Sequence, residues 1–496
     1  MFDYTKILEL LKFNADDPLF FNSSLFLFLF VGFLLFYSLI SHKKIFRVAS
    51  LLLFSFYFYY RSGGIYVLLL LLCSLLSYTT GILIFRSPAE WKKKVFMILG
   101  ILANLSVLFY FKYTNFFIEV YGNFSGKSLQ PMDIILPIGI SFFTFKALSY
   151  IIDVYLEKID AEYNILDFTL YISFFANLLA GPIDRAGQFI KQIKQDFVLT
   201  ESYIGRATFL IMSGLIKKDV IADYIGLNFV DRVFDDPLRF TGVENLMAVY
   251  AYALRIYCDF SGYSDLAIGI ALLLGFRLMD NFNSPYKAQS VAEFWRRWHI
   301  SLSSWLQDYL FKPMQMSMRR MRIFGNALAV LITFLVCGLW HGASWTFIAW
   351  GGIHGLLMAV SMFTKPVRDY FYNKTGLGKL RIVGVMRTVI TFHLIAFAWV
   401  IFSASSFEKA IDVYSQIFVF FHSEVFMQFV TAMPQIVILI ALGYLMHFAP
   451  ARLEQKCIEL VTASPIVVKA LILAIVIWTA AQVRSADLQP FIYFQF

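Results

Sequence analysis

The sequence is poor in charge. Asp, Glu, Lys and Arg make up only 15% of its 496 residues, while 59% are hydrophobic, against roughly 45–50% apolar residues, glycine included, in an average soluble domain. So few charged side chains cannot solvate a chain of this length as a soluble monomer, and disordered, collagenous and nucleic-acid-binding classes are excluded with it. Cysteine is scarce too. Cys73, Cys258, Cys337 and Cys457 lie far apart in mostly apolar surroundings, without the close pairings that a zinc site or a disulfide framework needs, and read as buried, unpaired thiols. There is no Walker-type glycine loop, no G-x-S-x-G elbow and no H-E-x-x-H. A hydrolase triad or a metalloprotease would have to be assembled from unrelated pieces, and neither a metal nor a bound cofactor is expected. The N-terminus has no basic n-region and no small-residue cleavage site before its first apolar run, so that run is expected to stay in the mature protein.

What is present is a succession of apolar runs measured against the ~20 residues of a spanning helix. Ser24–Ile40, Phe46–Tyr60, Ile65–Phe85 and Val95–Ile118 come first. Lys43, Lys44 and Arg47 fill the first loop, Arg61 stands alone in the second, and Arg86, Lys92, Lys93 and Lys94 crowd the third. The positive-inside rule makes the first and third loops cytoplasmic and puts the N-terminus and the Glu119–Asp133 loop outside. The net charge of +9 is read as this orientation signal, alongside membrane lipid as the surrounding partner.

The middle is broken. Ile134–Tyr155 and Phe168–Gly181 contain or adjoin Pro137, Gly139, Gly181 and Pro182, and carry or adjoin Lys146, Asp153, Asp184 and Arg185. Such segments suit short or re-entrant helices, tolerated at membrane depth where protein or a water-filled cavity satisfies their backbone. Further spans are expected at Tyr203–Ile216, Leu246–Phe276, Phe324–Trp340, Trp345–Phe363, Ile382–Phe402, Pro434–Phe448 and Val467–Val483. The fold class is therefore all-α, a polytopic integral membrane protein with about ten to twelve membrane-spanning or re-entrant helices. No soluble domain, linker or internal repeat interrupts it, so residues 1–496 are read as one unit with a motif-rich core at about 134–363.

An ionisable residue inside an apolar span costs several kcal/mol and is a functional candidate by default. Arg255, Asp259 and Asp265 occupy the middle of Tyr250–Phe276. Either Arg255 and Asp259 neutralise each other at i,i+4 spacing, or these groups line a substrate path. Next, Glu293–Leu310 plotted as one helix puts Trp295, Trp298, Leu302, Trp305, Leu306 and Tyr309 on one face and Arg296, Arg297, Ser301, Ser304, Gln307 and Asp308 on the other. This reads as an amphipathic interfacial helix with tryptophans at headgroup level, His299 pointing away from water. Finally, His341 ends an apolar run between Trp340 and Trp345, among Gly338, Gly342 and Ala343 that permit close approach. It is either a general base or a helix-packing residue. His354, in Trp350-Gly-Gly-Ile-His354-Gly, is the second choice, while His42, His393, His422 and His447 read as loop or packing residues.

Seven blocks in order resemble the membrane-bound O-acyltransferases, in particular the bacterial branch typified by alginate O-acetylation. They are Leu136-Pro-Ile-Gly-Ile-Ser-Phe-Phe-Thr-Phe145 with Ser149–Tyr155, Ala180-Gly-Pro-Ile-Asp-Arg185, Gly214-Leu-Ile-Lys-Lys-Asp219, Asp259-Phe-Ser-Gly-Tyr-Ser-Asp265, Asn281-Phe-Asn-Ser-Pro-Tyr286, Phe294-Trp-Arg-Arg-Trp-His-Ile-Ser-Leu-Ser303 and Gly338-Leu-Trp-His-Gly-Ala-Ser-Trp345. The closing Pro490–Phe496 is similar to that branch as well. Gln307 stands where the family often has Arg, and Pro313–Arg320 replaces a glycine-rich stretch.

The resemblance implies helices around a central tunnel, with His341 as the family histidine and His299 as the second motif histidine, both catalytic. Trp298, Ser303, Trp340, Trp345, His354, Asp259 and Asp265 are then expected along the tunnel. It implies an acyl thioester such as acetyl-CoA arriving from the cytoplasm and a cell-surface polysaccharide hydroxyl beyond a bacterial inner membrane. With no extracytoplasmic domain to grip a polymer, a separate extracytoplasmic acetyltransferase partner is expected. The alternatives are D-alanyl transfer to teichoic acid and a non-enzymatic polytopic transporter or flippase; no symmetric pair of broken segments supports the latter.

Overall fold

The computed structural model describes residues 11–14 and 18–483, so the Pro490–Phe496 block lies outside the described residues. All regular structure in the described residues is helical. The described residues form two compact units, one running up to residue 210 and including 266–279, the other made of 211–265 and the residues from 280 on.

In the first unit, α1 (Ser24–Ile40), α2 (Lys44–Gly63), α3 (Val67–Arg86) and α4 (Glu90–Ser125) follow the early apolar runs. Gly64, at φ 58°, ends α2, and the helices on either side have 20 residues each. At about 1.5 Å per residue, 20 residues reach about 30 Å, the thickness of the hydrocarbon layer. After α4 come α5 (Ile140–Tyr155), α6 (Ile165–Ser173) and α7 (Ala186–Lys194), short as the prolines and glycines predict. Their buried charges are bridged. Lys146 Nζ donates to Asn177 Oδ1 at 2.5 Å, Asn177 Nδ2 donates to Asp184 Oδ2 at 2.9 Å, and the Met279 backbone N–H donates to Asp184 Oδ1 at 3.1 Å.

The second unit begins within α8 (Glu201–Leu215), which widens into a π-helix over Ile216–Asp223 and a second over Gly226–Val230. Then come α9 (Gly242–Leu273), α10 (Val291–Arg297), α11 (Ile300–Leu306), α12 (Arg322–His341), α13 (Trp345–Thr375) and α14 (Arg381–Ser403). The last helices are α15 (Phe407–Val419), α16 (Val425–Ala432), α17 (Pro434–Phe448), α18 (Ala451–Ala463) and α19 (Ile466–Val483).

Among the described residues, seven helical stretches are long and apolar enough to cross a membrane, one of them Lys44–Arg86, which holds both α2 and α3. The pair α16–α17 passes the same test only when its two helices, bent by 92°, are taken together, as a broken span or a re-entrant loop, and Ser24–Ile40 and Ile165–Asn177 are shorter apolar pieces. The protein is an all-α multi-pass membrane protein. Its exterior agrees: Phe28, Leu39, Leu53 and Leu68 of the first unit and Val360, Val367, Leu445 and Leu471 of the second are exposed, as suits side chains solvated by lipid.

Two expectations fail for the same reason. Arg255 and Asp259 do not pair along α9: Arg255 Nη1 donates to Asp231, and Lys218 Nζ donates to Asp259 Oδ1 at 2.6 Å. Glu293–Leu310 is not one interfacial helix either, because the chain is extended at Trp298 (ψ 129°) and left-handed at His299 (φ 43°, ψ 55°). Trp295, Trp298 and Trp305 are buried inside the protein and so do not form a lipid-facing stripe. In both cases a partner distant in sequence overrides the helical spacing.

Candidate active site

The link between α12 and α13 is three residues, Gly342, Ala343 and Ser344, and the Ser344 hydroxyl caps α13 by accepting the Thr346 N–H at 3.3 Å. The helices then run back along each other on a seam of glycine. Gly338 lies against the carbonyl oxygen of Phe347 and Gly351 against that of Phe334, with no room for a Cβ at either. This approach fixes what projects from the end of α12 and the first turns of α13. His341, 3% exposed, is the last residue of α12.

Histidine and tryptophan rings alternate from there. The His341 ring is 5.0 Å from Trp340 and 5.1 Å from Trp350, centroid to centroid. The Trp340 ring is also 6.0 Å from the His299 ring, and the Trp350 ring 4.8 Å from that of His354. Helix α14 packs on the same rings: its Phe402 is 5.3 Å from His341, and its Trp399 stacks on Trp350 at 5.4 Å and contacts Trp298 at 5.0 Å. Both predicted histidines therefore lie beside one indole in a buried aromatic nest, where electrostatic and proton-transfer effects are strong.

His299 owes its place to Asn281. The Asn281 backbone oxygen accepts the Ile300 N–H at 2.9 Å and its Oδ1 accepts the Ser301 N–H at 3.2 Å, so a residue outside the helix satisfies the first donors of α11. That cap holds His299 in the left-handed region, a conformation of uncommon cost that persists only where the surroundings enforce it. The Phe260 ring of α9 packs edge-on to the imidazole at 4.6 Å. Burial pushes the His299 pKa down to about 3, so the ring is neutral at physiological pH.

The remaining expected residues divide. Trp298 is buried between Phe294 and Trp399, next to His299. The Ser303 hydroxyl donates to the Trp298 carbonyl at 3.2 Å and so braces the break. His354 Nδ1 accepts from Trp295 Nε1 at 3.2 Å, tying α13 to α10; in the neutral ring its proton is then on Nε2. Trp345 is the first residue of α13 and 53% exposed, unlike the buried Trp340. Asp259, buried, and Asp265, partly buried, are held by lysines. Lys218 reaches both Asp223 and Asp259 at 2.6 Å, and Lys217 reaches Asp265 at 2.7 Å. The wide π-turn at Ile216–Asp223 supplies both lysines. His447 is more than packing, since its Nε2 accepts the Tyr286 N–H at 3.1 Å. Among the described residues no group of three or more His, Cys, Asp or Glu could hold a metal ion.

Trp350, Trp399, Phe402 and Asn281 were not singled out as site residues by their sequence. Trp350 shares the Gly-Gly-Ile-His354 stretch and Asn281 a family-like block, but Trp399 and Phe402 sit in an unbroken apolar run that carries no signal.

Two buried histidines beside one indole in an all-α multi-pass protein fit group transfer inside a membrane, and the comparisons agree. The family model of the membrane-bound O-acyltransferases matches residues 54–407, and the chain belongs to that family. It is an acyltransferase. Its relatives include the probable alginate O-acetylase AlgI of Pseudomonas aeruginosa, 37% identical over 81% of this chain and 75% of that one. The peptidoglycan O-acetyltransferase of Helicobacter pylori is 34% identical over 80% of this chain and 79% of its own. The teichoic acid D-alanyltransferase of Bacillus subtilis is 28% identical over 56% of this chain and 71% of its own.

Proposed function

We propose that the protein transfers an acetyl group from a cytoplasmic thioester such as acetyl-CoA to hydroxyls of an extracytoplasmic cell-surface polysaccharide, from the bacterial inner membrane. The observation that carries the reading is that His299 and His341, both buried, lie against the same indole, Trp340. An acyl transfer needs a group that takes the proton of the attacking hydroxyl, and a desolvated neutral imidazole does this near pH 7. His341 is that base, or the nucleophile that carries the acetyl group transiently as an acyl-imidazole. His299 orients or polarises the reacting group, and the surrounding rings exclude water that would hydrolyse the thioester.

Acetyl rather than D-alanyl transfer is supported by the relatives, since the acetylases named above match at higher identity and over more of the chain than the D-alanyltransferase. The polymer is gripped by a separate extracytoplasmic acetyltransferase partner. No cofactor is held between turnovers. The experiment is a thioester-dependent assay: membranes containing the protein are given coenzyme A thioester labelled in its acetyl group, and ester-linked label on surface polysaccharide is counted. Label that depends on the protein supports the reading. Unlabelled polysaccharide in membranes that hold the folded protein and its native neighbours would contradict it.

A further inference from the structure

The Asn281 side chain meets three donors at one atom. Its Oδ1 accepts the Ser301 N–H at 3.2 Å and the Ser301 hydroxyl at 2.9 Å, and it lies 3.1 Å from His299 Nδ1. A backbone N–H can only donate, so the atom facing it is the oxygen of the amide. The same atom cannot donate to the imidazole. The hydrogen bond to His299 therefore runs from Nδ1–H to Oδ1, and a neutral imidazole with its proton on Nδ1 has its lone pair on Nε2. The amide is fixed from its other end too, because Asn281 Nδ2 donates to the Ser264 hydroxyl of α9 at 3.3 Å.

We propose that Asn281 is a positioning residue for acyl transfer, selecting the His299 tautomer whose Nε2 accepts a hydrogen bond from the reacting hydroxyl and so orients it. The inference rests on the reading that His299 takes part in the transfer. Asn281 is fully buried, and a helix cap alone would use only its contacts with Ile300 and Ser301. The third contact, to the imidazole, is what a cap does not require. Charge stays balanced throughout: the amide is neutral, keeps its protons, and fixes which ring nitrogen of His299 carries the proton and which presents a lone pair. A carboxylate at 281 would accept from the same three donors, whereas an aliphatic side chain would leave the imidazole tautomer unselected and a ring N–H without its acceptor.

The test uses the full chain in native membranes, with acetyl-CoA as the probe, and compares Asn281→Leu, Asn281→Asp, His299→Ala and the Asn281→Leu/His299→Ala double variant at equal protein level. Asn281→Leu should lower the maximal rate by at least about tenfold with the KM for acetyl-CoA little changed, as loss of an imidazole-orienting partner does. Asn281→Asp should retain most of that rate. Added to His299→Ala, Asn281→Leu should cause little further loss. Full rate in Asn281→Leu beside an inactive His299→Ala would overturn the inference and leave the catalytic reading standing, as would losses that multiply in the double variant. A fully active His299→Ala would overturn both. Should Asn281→Leu fail to fold, 15N spectra of histidine-labelled wild type, assigned by the signal missing in His299→Gln, still decide. Protonated Nδ1 on His299 is expected, and protonated Nε2 with bare Nδ1 overturns the proposal.

Discussion

Gly338 packs against the carbonyl oxygen of Phe347, and a Cβ on the glycine would overlap that oxygen. Backbone cannot move aside as a flexible side chain can, so Gly338→Ala must push α12 and α13 apart exactly where His341 and Trp350 meet. Overpacking of this kind costs about 1–3 kcal/mol and shifts neighbouring side chains. Gly338→Ala should express at reduced level, melt earlier in detergent and lose most activity. Wild-type melting and wild-type activity together would contradict the close seam.

Lys218 holds two carboxylates at once, those of Asp223 and Asp259. Removing the ammonium leaves two buried negative charges with one partner fewer, a change of about 3–5 kcal/mol. Lys218→Met should therefore be strongly destabilised in thermal melts, and the double variant Lys218→Met/Asp259→Leu should recover part of the loss by removing one orphaned charge. A Lys218→Met protein as stable as wild type would show that the cluster contributes nothing.

Much of this was legible in the sequence, because apolar runs dictate where helices lie. Val95–Ile118 falls inside α4, and Phe324–Trp340 differs from α12 by a few residues at its ends. His341 was legible because glycine and tryptophan cluster round it. The break at His299 was not. Neither Gly nor Pro marks it; it is imposed by Asn281, 18 residues away, and a helical wheel cannot see such a partner. The same holds for Arg255 and Asp259, whose spacing suggests a local pair while their partners come from the segment before α9. Trp399 and Phe402 were hidden for a different reason: an aromatic residue in a membrane span is as readily lipid-facing as buried.

The orientation is testable on one helix. α4 spans 36 residues, about 54 Å at about 1.5 Å per residue, so its ends clear both faces of the hydrocarbon layer. The lysines at its start, Lys92 to Lys94, belong inside, and Lys127, just past its end, belongs outside. In a Cys457→Ser background, where the other cysteines are buried, Lys127→Cys should react with an impermeant thiol reagent on intact cells and Lys92→Cys only after the membrane is opened. The reverse pattern would invert the topology.

The most direct measurement concerns His341. Its ring is enclosed by Trp340, Trp350 and Phe402 rather than by glycine alone, so truncation to Ala opens a cavity and His341→Gln is the better-filled companion. Wild type, His341→Ala and His341→Gln are brought to equal membrane level, their melting is recorded, and acetyl transfer from labelled acetyl-CoA to surface polysaccharide is measured. Loss of a general base costs about 10²–10⁴ in rate, or about 3–5 kcal/mol of barrier, so both folded variants should lose nearly all transfer. Normal acetylation by a well-folded His341→Gln protein would contradict the account, and would return the acid–base role to His299 or His354.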